Sequence, residues 1–185
     1  MADSLVRICQ MLNTVGTFEG TTKLHKVAYV AQVLGYPLDE HFEWYPHGPY
    51  SPSLALKLEQ LVSAGMVARG EVKKGNYDAR TYRLTASGKH FLAVLGQDAR
   101  IGGKFEELVK ELHAKRRARD MELIDSILFW EALGQGRASA VRTVLRAKPK
   151  FADREQEVRQ ALDDIRILEQ HYAAEPNGTS EDAQG

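Results

Sequence analysis

Residues 45 to 54 read YPHGPYSPSL: two tyrosines, three prolines and a glycine running straight into a leucine-rich segment. Proline fixes its own φ and biases the residue before it away from helix, while Gly48 permits backbone shapes that other residues resist. Ser51 followed by Pro52 is an N-cap with proline at the first helical position, where its missing N–H costs nothing. His47, Gly48, Pro49, Tyr50 and Ser51 therefore read as a structural turn that sets the direction in which one helix leaves. That helix runs from about 52 to 64, with Leu54, Leu58, Leu61 and Val62 inward and Ser53, Lys57 and Gln60 outward.

The segments on either side follow the same helical period. Leu5, Ile8, Cys9, Met11, Leu12 and Val15 predict a first helix ending at Gly16. Leu24, Val27, Ala28, Ala31 and Leu34 predict a second, capped by Thr21 or Thr22. Its other side is apolar too (Tyr29, Val30, Val33), which makes this helix central. Residues 36 to 50 form an aromatic connection with a short strand expected around Phe42 to Tyr45. Beyond Gly65, residues 67–72 and 80–84 read as two strands joined through a Gly75-Asn76 turn. Thr85 can cap a further helix bearing Phe91, Leu92 and Leu95, after which the glycine-flanked stretch to Gly103 reads as a linker.

The second half is helical by period: Phe105 to Leu112, then Met121 to Leu128 with Asp120 as a cap, then Ala138, Val141 and Leu145. A last helix bearing Val158 to Tyr172 follows an Asp153/Gln156 capping box. The expected organisation is a first domain over 1–97, a linker at 98–103, a helical region over 104–172 that packs on the first or pairs two copies, and a disordered, acidic tail over 173–185. The fold class is mainly α with a small β-hairpin wing (α+β), a winged helix-turn-helix followed by a C-terminal helical region.

Composition narrows the function. Twenty-five basic and 25 acidic residues cancel across the 185, so nucleic-acid binding requires a local patch. The single cysteine, Cys9, excludes an internal disulfide and reads as a buried thiol. No apolar run approaches a membrane span and no secretory leader precedes the first helix, so a soluble cytoplasmic protein without membrane contact is expected. The six histidines lack metal spacing, and no nucleophile–base order or phosphate-cradling glycine loop stands out. The chain reads as non-enzymatic and without a cofactor.

Two segments carry a resemblance, TKLHKVAYVAQVLGY and HGPYSPSLALKLEQLVSAGMV, on Lys23, Leu24, Lys26, Tyr29, Gly48, Pro49, Tyr50 and Ser51. They are similar to the paired signature of the bacterial YwgA-like family and, more loosely, to Panacea (SocA-like) antitoxin domains. Over residues 4 to 95 the resemblance implies a winged-helix fold and, from the Panacea side, an antitoxin or adaptor role. It implies no chemistry. The long aromatic connection before the third helix departs from a plain helix-turn-helix.

A winged helix reads DNA with its third helix and grips phosphate with its wing, which makes Ser53, Lys57, Gln60, Arg69, Lys73, Lys74, Asn76 and Arg80 the candidate nucleic-acid contacts. The same helix face can pack on a protein, and lysines on a hairpin also simply discourage edge pairing. A basic strip of Arg137, Arg142, Arg146, Lys148 and Lys150, without an acidic residue between Gln135 and Ala152, can meet an acidic partner or nucleic acid. The run Lys115, Arg116, Arg117 and Arg119 suits a helix C-terminus. Phe42, Trp44, Tyr45 and Tyr50 read as satellite core or a small-molecule pocket, and Asp163-Asp164 as solvated surface. DNA-binding regulation is the leading expectation; an antitoxin-like or adaptor protein that binds another protein is the alternative, with homodimer pairing through the C-terminal helices.

Overall fold

The computed structural model describes residues 2–75, 77–99, 101–114 and 118–174. Its elements are α1 (Ala2–Val15), β1 (Phe18–Glu19), α2 (Thr21–Val33), β2 (Glu43–Tyr45), β3 (Gly48–Tyr50), α3 (Pro52–Ser63), β4 (Val67–Lys74), β5 (Tyr77–Leu84), α4 (Ala86–Ala99), α5 (Gly103–Ala114), α6 (Ala118–Ala132), α7 (Arg137–Ala147), a short 3-10 turn at Pro149–Phe151, and α8 (Glu155–Tyr172). The molecule is mainly helical with two small antiparallel sheets, one ordered β1-β5-β4 and the other the β2–β3 pair.

α3 forms as its sequence dictates. Ser51 Oγ accepts from Leu54 N–H at 3.1 Å, Pro52 holds the first position, and Leu54, Leu58 and Leu61 are buried. A cap of this kind contributes about 1 kcal/mol and each buried leucine roughly 1.5–3 kcal/mol. Gly65, at φ 69, turns the chain into β4, and the eight-residue strands β4 and β5 pair from Val67↔Leu84 to Lys74↔Tyr77. The hairpin is thus longer at its tip than the alternating pattern predicts. Gly75 occupies its turn at φ 61; Asn76 lies outside the described residues. Gly88 N–H donates to Thr85 Oγ1, so Thr85 does cap α4.

Other boundaries differ from expectation. Gly20, not a threonine, is the N-cap of α2. Asp120 lies inside the first turn of α6, and Arg154 rather than Asp153 precedes α8, without a side-chain cap. Helix α4 continues to Ala99 through residues read as linker, and Ile101 is tied to the first helix: Gln10 Oε1 accepts from Ile101 N–H at 3.0 Å, and Gln10 Nε2 donates to Ile101 O at 2.7 Å. Of the expected tail, Ala174 N–H donates to Leu34 O at 2.7 Å, and residues 175–185 lie outside the described residues, as do Lys115, Arg116 and Arg117.

One hydrophobic core runs through both halves. Leu12, Val27 and Leu58 belong to it, and so do Phe105, Leu112, Ile124, Phe151 and Ile165. Helix α2 sits at its centre with eight successive residues from Leu24 to Ala31 buried. Within that run lie His25 and Lys26, 1% and 3% exposed. Among the described residues no helix is long and apolar enough to cross a membrane.

Candidate functional site

A lysine inside a buried helix must be met by an anion or by carbonyl oxygens. Lys26 Nζ donates to Asp125 Oδ2 at 2.5 Å and to His47 O at 2.7 Å. Asp125, wholly buried on α6, also accepts from Ser126 Oγ. Burial pushes its carboxyl up to about 6, against the pull of Lys26 and Lys148. The turn between β2 and β3 is held a second time, from the C-terminal half: Lys148 Nζ donates to Pro46 O at 2.9 Å and to Glu122 Oε1 at 2.8 Å, and sits 5.2 Å from the Trp44 ring centre. The ammonium groups pull the Glu122 carboxyl below its ordinary range, against burial. Gly48, at φ 108, lies so close to this network that a Cβ there would stand 2.9 Å from Asp125 Oδ2 and 3.0 Å from Lys26 Nζ. Glycine is required there for both conformation and space.

A second buried carboxylate gathers the first three helices. Glu40 follows Asp39, whose φ of 57 turns the chain inward. Its Oε1 accepts from Lys57 Nζ at 2.7 Å and from Ser4 Oγ at 2.9 Å, and its Oε2 accepts from Ser53 Oγ and, at 3.4 Å, from Ser51 Oγ. Gln32 clasps the Glu40 backbone with two bonds. Ser53 and Lys57, candidate base readers, are thus turned toward this carboxylate, while Gln60 is exposed.

The remaining candidates divide. Arg69 makes paired bonds to Glu59, and Lys74 lies 2.5 Å from Glu19 across an exposed surface. Lys73 and Arg80 are exposed on the hairpin, opposite Asp78 and Glu71. In the basic strip, Arg137 bridges Glu131 and Glu169, Lys148 is buried as above, and Lys150 bonds Glu122; Arg142 and Arg146 are exposed. Asp163 is exposed, but Asp164 is 9% exposed and accepts from Gln160, which corrects the reading of both as solvated surface.

The aromatic cluster also divides. Phe42 packs edge-on to Tyr29, and Trp44 packs on Phe129 and Trp130, as satellite core. Tyr45 and Tyr50, 5.0 Å apart, instead line a cavity of about 280 Å³ with Thr21, Thr22, His25 and the 46–49 turn. His25 stacks on Tyr50 at 4.3 Å, and its Nδ1 accepts from Ser51 N–H at 3.2 Å. Burial lowers its pKa to about 4, so the ring is neutral at pH 7 and carries its proton on Nε2, which has no partner. Among the described residues no group of three His, Cys, Asp or Glu side chains is arranged to hold a metal.

Of the matching positions of the two sequence segments, Gly48, Pro49 and Tyr50 line this cavity, Ser51 N–H donates to His25 and Lys26 holds the turn at His47 O, whereas Lys23 bonds His113 O and Leu24 and Tyr29 lie in the core. Sequence reasoning placed the turn but missed Asp125, Glu40 and Lys148 as its anchors. The one available signal was that a helix apolar on both sides must bury Lys26.

No family model matches the chain. It is 27% identical over 164 residues to the uncharacterized protein YwgA of Bacillus subtilis (strain 168), an alignment that covers 89% of this chain and 95% of that protein.

Proposed function

We propose that this chain is a non-enzymatic regulatory module of winged-helix type that binds another protein through the outer face of α3, as expected of an antitoxin-like or adaptor protein. The order α1, β1, α2, α3, β4 and β5, with β1 paired to β5, supports the winged-helix reading; the β2–β3 pair between α2 and α3 is an addition to that plan. The observation that carries the protein-binding reading is the face α3 leaves uncovered. Pro52, Leu56, Gln60 and Ser63 share one side of the helix, all exposed, with Leu56 at 61%. The helix carries a single cation, Lys57, and that cation serves Glu40. On this face Gln60 is the one side chain suited to a base edge, while Glu59 is paired with Arg69 and no unengaged cation is present on the helix; an exposed leucine in such a face suits a protein partner better than a phosphate backbone.

Photocrosslinking tests this. A benzophenone amino acid at position 56 should give a discrete protein adduct in the native host cell and one at exposed Lys104 should not; adducts at both or at neither would overturn the reading. The second reading is DNA contact by the wing, favoured by exposed Lys73 and Arg80. It requires duplex binding that collapses between about 50 and 200 mM salt and fails in Lys73→Glu/Lys74→Glu.

A further inference from the structure

Helices α7 and α8 both pack on α6, and a groove of about 480 Å³ lies between them. Ala138 and Val141 of α7 and Leu162 of α8 line it, together with Arg137 and Arg166. Arg137 bonds Glu169, and this is the one ion pair that joins the two helices among the described residues. Yet their charges are opposite. α7 carries three arginines and no acid, a net of +3, and α8 carries two arginines and five acids, a net of −3.

Most of that attraction is left unused within the chain. Arg142 and Arg146, one turn apart on α7, are exposed and pair with no carboxylate among the described residues. On α8, Asp163 is exposed and its one ion pair is a loose contact with Arg166 at 3.4 Å. Ile167, one turn beyond Asp163 on the same side of the helix, is 45% exposed although aliphatic. The two helices thus present an apolar knob beside a loosely held carboxylate, and an apolar hollow beside two unpaired arginines. A surface that carries both halves of a match suits its own copy, because a two-fold axis brings each half against the other twice.

We infer that two copies of this chain pair through α7 and α8. Ile167 of each copy enters the groove of the other against Val141 and Leu162, and Asp163, one turn away, reaches Arg142 and Arg146 of the second copy. The α3 face takes no part in this pairing.

Sedimentation velocity of the full chain tests this. The chain should sediment as a dimer at micromolar concentration. Arg142→Glu/Arg146→Glu and Asp163→Lys should each weaken dimerisation by at least about tenfold, because each sets like charges against one another. Mixing these two variants should restore dimers, since every contact then joins opposite charges again; lost folding cannot imitate that rescue. Ile167→Asp should also separate the copies while keeping its helical circular dichroism, and Leu56→Asp on α3 should stay dimeric. A monomer at every concentration would overturn the inference. So would a dimer indifferent to the charge reversals and to Ile167→Asp, a dimer lost in Leu56→Asp, or a mixture of the two charge variants that stays monomeric.

Discussion

Lys26 Nζ and Asp125 Oδ2 lie 2.5 Å apart although 99 positions separate them in the chain, with side chains 3% and 0% exposed. The pair joins the first half of the molecule to the second inside the core. Removing one partner leaves a buried charge uncompensated, which costs about 3–5 kcal/mol. Lys26→Met and Asp125→Leu are each expected to lose that much in urea unfolding, and the double variant much less than the sum. Additive losses would show that the pair is not coupled as described.

Gly48→Ala is expected to cost about 2 kcal/mol, combining the left-handed backbone penalty with the Cβ contact on Asp125. Gly75→Ala, also at positive φ but with nothing within 4 Å of its Cβ, should cost only the backbone share. The two melting temperatures check this.

The pH dependence has a definite sign. His25 has a folded pKa of about 4 against 6.5 for the free side chain, so the unfolded chain binds the extra proton between those values. Its contribution is full above pH 6.5 and is lost as pH falls toward 4, by up to about 3 kcal/mol. His113, half-buried and also lowered by burial, acts in the same direction. Asp125 acts oppositely: raised from 3.8 to about 6, it favours the fold most below 3.8 and loses that contribution as pH rises through 6. His25→Gln should therefore flatten the acid limb of the urea midpoint against pH. The His25 imidazole resonances should stay in the neutral form down to about pH 5.

Cys9 is fully buried and its thiol is pushed up to about 12 by desolvation. Thiolate is the reactive form, so Ellman's reagent should label Cys9 only at the rate of unfolding and promptly in denaturant. Fast labelling of the native chain would contradict the packing of α1.

Periodicity made most elements legible: the stripes of the helices, the hairpin and the Ser51–Pro52 start of α3 depend on residues close in sequence. What escaped was anything decided by distant partners. Lys57 and Lys148 read as surface cations because lysine usually is one, yet their partners Glu40 and Glu122 lie 17 and 26 positions away and are themselves largely enclosed. Gly96 reads as a helix end because glycine often is one, yet α4, which packs on α1, runs through it to Ala99 and so takes in the first residues of the expected linker. The cavity was only half legible. Four aromatics in nine residues announced a cluster, but only strand pairing sends Trp44 to one face and Tyr45 to the other.

Two neighbouring carbonyls at the β2–β3 turn, Pro46 O and His47 O, are each held by a lysine, one from α2 and one from beyond α7. The consequence is one of inheritance. A recombinant gene that took its first hundred codons from one relative and the rest from another would need both lysines and both carboxylates to match across the join. The halves should therefore have descended together, with changes at positions 26, 125, 148 and 122 tolerated in company rather than singly.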